Sequence, residues 1–122
     1  MQTAAAIIFC LALTLLFVHE MDAIRRQEWR MFIVLKDMED EKAYPVFLLL
    51  HIPLYMVMLL LLFSPFSKIA YYIVDVFLLA HMLIHLGFRR HHANKFNGAM
   101  SKAVINLAGL LAIIHSIAIS IG

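Results

Sequence analysis

Residues 3–19 read TAAAIIFCLALTLLFVH, and the first charged side chain of the chain is Glu20, directly after this run. An α-helix needs about 20 mostly apolar residues to cross the roughly 30 Å hydrocarbon core of a bilayer. Four runs of about this length occur, at residues 3–22, 46–63, 69–87 and 103–121. The sequence therefore predicts an all-α fold, an integral membrane four-helix bundle.

Composition supports a membrane setting for the whole chain. Its 122 residues are 64% hydrophobic and 15% charged, with a mean hydropathy of +0.89, whereas soluble domains are roughly half apolar and about a quarter charged. Four spans and their loops use all of this length, so we expect residues 1–122 to form a single transmembrane domain. The net charge of +2 is small and the basic residues lie in loops. We therefore expect the lipid bilayer as partner and no nucleic acid.

The charge distribution predicts an orientation. The short turn at residues 64–68 contains a proline and predicts an antiparallel hairpin of spans two and three. Four crossings then put residues 23–45 and 88–102 on one membrane face, and both termini on the other. The first face carries Arg25, Arg26, Arg30, Lys36, Lys42, Arg89, Arg90, Lys95 and Lys102, against Lys68 on the opposite face. We expect the protein in the inner (cytoplasmic) membrane. By the positive-inside bias, the charged face is cytoplasmic and both termini lie on the non-cytoplasmic side.

The loop between spans one and two has a helical pattern of its own. Trp29, Phe32, Ile33 and Lys36 recur at steps of three and four residues. This spacing predicts a short amphipathic helix that continues from the first span.

Ionisable side chains within the spans are costly, and they are functional candidates for that reason. Counting helical rise from the charged face brings one group to a similar depth: His19, Asp22, His51, His81 and His85. His81 and His85 are four residues apart, so both imidazoles project from one face of a helix, as in many metal sites. Nitrogen and carboxylate ligands suit zinc, iron or manganese better than calcium or magnesium. We therefore predict a divalent metal site at these five residues.

A metal ion near the membrane surface suggests a chemical role. Because a bound ion lowers the pKa of water towards neutrality, the site is consistent with a metal-dependent hydrolase that acts on a lipid-like substrate. Glu20 and Glu28 are the candidate general bases, and therefore the candidate catalytic residues.

Two other functions fit the same residues. Two histidines from different helices can hold a haem. Alternatively, the polar groups join helices by hydrogen bonds in a non-catalytic accessory subunit, found as a homo-oligomer or with a larger membrane partner. His91 and His92 fit either extra ligands or a basic loop at the lipid headgroups. Asp75 and His115, both about six residues from the opposite face, are expected to pair with each other.

Several features appear in an order that resembles a known group. They are His19-Glu20-Met21-Asp22, Glu28-Trp29, His51-Ile52-Pro53-Leu54, the His81 to His85 segment, and Phe96-Asn97-Gly98. This order resembles the small bacterial membrane proteins of unknown function grouped around the HXXEE domain. The sequence departs from that pattern at Asp22-Ala23, where the pattern has two glutamates. The resemblance implies a membrane setting and a histidine and carboxylate site, without a reaction.

Overall fold

Long runs rich in Leu, Ala, Ile and Met favour helices, and the computed structural model has helices at all four apolar runs. It describes residues 3–63, 65 and 67–122. Over these residues the chain is all-helical and contains no strand. The α-helices are α1 (Thr3–Arg26), α2 (Asp40–Leu62), α3 (Ser67–Gly87) and α4 (Ala99–Ile121). Two short 3₁₀ helices, Glu28–Met31 and Phe88–Arg90, follow α1 and α3.

Helix α4 lies between α1 and α3 and packs closely against both, while α2 lies to one side with sparser contacts. Small residues allow this close approach, because Ala12, Ala108 and Ala112 are all buried in the core between the helices. Gly109 is a more extreme case. A Cβ atom at this position would lie 2.7 Å from Cβ of Met82 on α3. The glycine therefore sets the distance between α3 and α4.

The outer faces of all four helices are apolar. Large exposed hydrophobic side chains occur on each helix, for example Ile7, Leu60, Val76 and Ile117. Apolar surface on this scale would promote aggregation in water and is suited to hydrocarbon. Each of the four helices is long and apolar enough to cross a membrane.

The connection between α1 and α2 differs from the predicted amphipathic helix. Gln27 adopts a left-handed backbone conformation (φ 55°), which ends α1, and the chain continues as the 3₁₀ helix Glu28–Met31. Phe32 is extended (φ −80°, ψ 130°), and turns follow up to the start of α2. The reversal at Gln27 stops the helical register on which the prediction depended. In the predicted turn at 64–68, Ser64 and Phe66 lie outside the described residues.

Polar bonds attach this connection to the start of α2. Asp40 accepts hydrogen bonds from the Trp29 indole nitrogen at 2.9 Å and from the side-chain amide (Nε2) of Gln27 at 3.1 Å, and it forms an ion pair with Arg30 at 2.8 Å. Trp29 is itself buried against Phe47 of α2. These contacts hold the 3₁₀ helix beneath the end of the bundle, and they position Glu28.

Candidate metal centre

Three histidines and one glutamate meet at the end of the bundle that carries the longer loops. His19 lies about two turns before the end of α1, and His81 and His85 lie in the last two turns of α3. Glu28 is the first residue of the 3₁₀ helix. His19, Glu28 and His85 are buried and His81 is partly buried, and one ligand atom from each lies within 4.8 Å of all the others.

The same ring nitrogen of each histidine faces the carboxylate. His85 Nε2 lies 2.9 Å from Glu28 Oε1, and His81 Nε2 lies 4.0 Å from the same oxygen. His19 Nε2 lies 3.8 Å from Glu28 Oε2 and 2.7 Å from His81 Nε2. Three imidazoles therefore converge on a single carboxylate. A buried group of this composition can hold a metal ion.

Glu28 remains charged in this position. Burial alone would raise the pKa of its carboxyl group, but the hydrogen bond with His85 and the proximity of His19 and His81 outweigh burial and hold the pKa below its ordinary value. The group thus contains an anionic oxygen ligand beside three imidazole nitrogens.

An aromatic side chain covers the group on one side. Phe96, from the loop before α4, is buried with its ring centre 4.7 Å from that of His85 and 5.4 Å from that of His19. Within the described residues, His19 Nδ1 is buried and has no hydrogen-bond partner. The hydrophobic cover lowers the local dielectric and strengthens each electrostatic contact inside.

Asp22 and His51, which were predicted as metal ligands, lie outside the four-residue group. Asp22 faces α4, where it accepts a hydrogen bond from Ser101, and it also pairs with Arg26 at 3.2 Å. His51 lies on α2, with Nε2 2.9 Å from Glu20 Oε2 and Nδ1 2.7 Å from the carbonyl oxygen of Phe47. Their depth is similar to that of the group, but their direction around the helix axis differs.

The predicted bases also occupy different places. Glu28 lies among the candidate ligands, whereas Glu20 pairs with His51 next to them. Sequence reasoning did not identify Glu28 as a ligand, because its position depends on the left-handed turn at Gln27, for which the sequence carries no clear signal. His91 and His92 stack with ring centres 4.3 Å apart in the loop and do not belong to the group.

A second polar pair lies deeper along the bundle. His115 Nδ1 and the Ser116 hydroxyl each lie 2.8 Å from Asp75 Oδ2, and His115 is completely buried. The rings of Phe9 and Tyr71 pack against His115. The expected pairing of Asp75 with His115 is therefore observed.

The fold and this group define an all-helical protein with four helices of membrane-spanning length and a buried histidine and glutamate cluster that can hold a metal ion. The chain matches the model of a family of unknown function, DUF6713, over residues 5–121, and it belongs to that family. Membership agrees with the expectation of an uncharacterised group, although it does not itself connect the chain to the HXXEE-domain proteins. Searches of curated proteins and of solved structures give no match.

Proposed function

We propose that this chain is a multi-pass membrane protein that binds one divalent metal ion through His19, Glu28, His81 and His85. The observation that carries the proposal is the convergence of three histidine Nε2 atoms on one buried carboxylate. The ion would balance the negative charge of Glu28 and satisfy the lone pairs of imidazoles that are otherwise crowded together in a low-dielectric region.

The spacing of the ligand atoms suits a small transition-metal ion. With metal–nitrogen bonds of about 2.0–2.1 Å, neighbouring ligands in a tetrahedral site lie about 3.4 Å apart. The contacts of 2.7, 2.9, 3.8 and 4.0 Å among the four side chains lie on both sides of this value. Small side-chain movements would therefore complete the site. The three-nitrogen, one-oxygen ligand set favours zinc, with iron or manganese as the alternatives.

We place the protein in the inner (cytoplasmic) membrane, with both termini on the non-cytoplasmic side. Four helices of sufficient length and their apolar outer faces support insertion. The concentration of Arg and Lys in the two longer loops supports the orientation. The metal centre then lies near the cytoplasmic surface, at the depth of lipid headgroups or slightly below.

A metal-dependent hydrolysis of a lipid-like substrate is the reaction that we propose for this centre. An ion held by these four side chains would bind water at a fifth position, or in place of one displaced side chain, and would there lower the pKa of the water towards neutrality and polarise an ester or phosphoryl oxygen. Glu20, which is hydrogen-bonded to His51 and adjacent to the cluster, is the proposed proton acceptor. In this arrangement Glu28 would bind the ion, whereas Glu20, which is not among the four ligands, would accept the proton.

The geometry favours an ion over a haem. Two axial histidines must stand on opposite faces of a porphyrin, whereas Nε2 of His19 and Nε2 of His81 are only 2.7 Å apart. An accessory subunit without chemistry is the remaining alternative. It would use the same contacts only to join α1 to α3.

The test is the metal content of the purified protein. We expect about one equivalent of zinc, iron or manganese per chain in detergent-purified wild-type protein, because four ligands define one site. The double substitution His81→Ala/His85→Ala should remove it. The matched control is His91→Ala/His92→Ala, which deletes two histidines from the neighbouring loop, outside the cluster.

Two results would contradict the proposal. One is wild-type protein without stoichiometric metal that also fails to acquire any when titrated with zinc, iron or manganese. The other is an equal loss of metal in both double variants, which would indicate adventitious binding to histidines. Circular dichroism and gel filtration would show whether each variant retains its helices and its size.

A further inference from the structure

A small cavity opens beside the metal centre, between the end of α3 and the start of α4. Its volume is about 110 Å³. The polar side chains that line it are His85, Arg89, Asn94, Lys102 and Asn106. Because a water molecule in the liquid occupies about 30 Å³, a cavity of this size admits a compact polar group such as a phosphate or a carboxylate.

The cavity is positively charged. Arg89 and Lys102 both line it, and none of the described residues around it is acidic. Among the described residues, neither of these cations forms an ion pair with a carboxylate. The side-chain amide of Asn106 adds a further hydrogen-bond donor. The amide of Asn94 instead holds the loop, since it donates to the Arg89 carbonyl oxygen at 3.2 Å and accepts from the Phe96 backbone N–H at 2.9 Å. Two unpaired cations and an amide donor around a concave space are the chemistry that binds an oxyanion.

The inner wall of the cavity is shared with the metal centre. His85 lines the cavity and also contacts Glu28 at 2.9 Å. Phe96 lines the cavity and covers the ring of His19. Leu86 and Ile105 give the remaining wall an apolar character. A group held here would therefore lie directly beside the proposed ion, with apolar surface available for an attached chain.

We infer that this cavity binds the anionic group of the substrate, a phosphate or carboxylate, and that it orients the adjacent bond towards the metal centre. The assignment of the ligand as a substrate rests on the proposed function, whereas the anion site itself depends only on the cavity and its two cations. The anion is supplied either by a lipid headgroup or by a free soluble phosphate compound.

The experiment measures anion binding and metal content on the same detergent-purified samples. The lipid probe is dihexanoyl phosphatidic acid, followed by native mass spectrometry, with dihexanoyl phosphatidylcholine as the zwitterionic comparison. The soluble probe is inorganic phosphate, followed by equilibrium dialysis. The test variant is Arg89→Gln/Lys102→Gln. The matched control is Arg25→Gln/Arg90→Gln, which removes the same charge from exposed residues that do not line the cavity.

We expect the wild-type protein to prefer phosphatidic acid to phosphatidylcholine. The test variant should bind phosphatidic acid at least about tenfold more weakly, because it loses two charge-assisted contacts. The control should weaken binding by less than about twofold, because neither Arg25 nor Arg90 lines the cavity and their charges would act on the anion only through screening solvent. Binding of inorganic phosphate that is lost in the same variant would support the cavity and indicate a soluble ligand. Binding of phosphatidic acid alone would support it and indicate a lipid.

Equal weakening in both variants would overturn the inference, because it would attribute binding to general surface charge. Binding of neither probe would overturn it as well. The metal content of the same samples distinguishes failure of the anion site from failure of the proposed metal centre. Wild-type protein that binds phosphatidic acid through Arg89 and Lys102, but holds no metal and acquires none when titrated with zinc, iron or manganese, would retain the anion site and refute the metal centre.

Discussion

The bundle contains two buried polar sites, and they satisfy their buried ionisable side chains in different ways. In the metal centre, three imidazoles share the carboxylate of Glu28, and one of them, His85, also borders a charged cavity. In the deeper site, Asp75 bonds His115 and Ser116 of a single neighbouring helix, and the rings of Phe9 and Tyr71 enclose it. The first site contains more polar side chains than are needed to join two helices by hydrogen bonds, whereas the second contains about as many as that role requires.

This difference separates a site built for a ligand from one built for helix association. The metal centre draws residues from α1, α3 and a loop segment, so its geometry depends on three parts of the chain. The hydrogen bonds of the deeper site join α3 to α4. If the comparison is correct, substitutions in the deeper site change stability but not metal content, and substitutions in the metal centre change metal content.

The largest expected effect is that of Asp75→Ala. This change leaves the fully buried His115 Nδ1 and the partly buried Ser116 hydroxyl without their common acceptor, and breaking a buried pair in this way costs about 3–5 kcal/mol. We expect a clear fall in the thermal unfolding midpoint in detergent, with the metal stoichiometry of the folded protein unchanged.

Ser116→Ala is the control for this variant, because it removes one donor and leaves the pair of Asp75 with His115 intact. Its cost should be about 1 kcal/mol. Loss of metal from folded Asp75→Ala protein would show that the two sites are coupled and that the deeper site does not serve helix association alone.

The second expected effect tests the helix contact that lies between the two sites. Gly109→Ala puts a Cβ atom 2.7 Å from Met82 Cβ, an atom fixed to the backbone of α3. Relief of this overlap requires the helices to separate, at a cost of about 1–3 kcal/mol. We expect a lower thermal unfolding midpoint, measured by circular dichroism.

Gly87→Ala is the matched control, since a Cβ atom there would meet nothing within 4 Å. It should leave the midpoint unchanged or raise it slightly, because alanine favours helix over glycine. Equal behaviour of the two variants would show that α3 and α4 are not in close contact at Gly109.

Simple spacing predicted the helices and part of each site. Hydropathy located all four helices, and the interval of four residues put His81 and His85 on one face. Counting depth from opposite ends of two helices predicted the pairing of Asp75 with His115. These inferences succeed because helical rise and period are nearly constant over long apolar segments.

The exact ligand set of the metal centre could not be predicted in this way, because it depends on the direction in which each side chain leaves its helix and on the conformation of the loop after α1. Asp22 and His51 share the depth of the metal centre, but Asp22 faces Ser101 on α4 and His51 faces Glu20. Depth counting contains no information about this rotation. Glu28 reaches the centre only because Gln27 takes a left-handed conformation, which non-glycine residues seldom adopt.

The smallest expected effect concerns the charge of Glu28 in metal-free protein. Burial raises the pKa of the Glu28 carboxyl group, whereas the hydrogen bond from His85 and the nearby His19 and His81 lower it, and the net shift is downward. Because these effects partly cancel, the net contribution to folding stability is small. A lowered pKa gives stability that is fully present above the ordinary carboxyl value of 4.5 and is lost as pH falls through the folded-state pKa.

Glu28→Gln removes this contribution, so the variant should be less stable than wild type near pH 7, and the difference should narrow as the pH falls below about 4.5. Thermal unfolding midpoints of both proteins, measured with chelator between pH 7 and pH 4, provide the test. Glu41→Gln, at an exposed position on α2, should stay within about 0.5 kcal/mol of wild type. A difference that widens in acid would mean that Glu28 is not held as a carboxylate by the histidines, and the metal centre would then lack its anionic ligand.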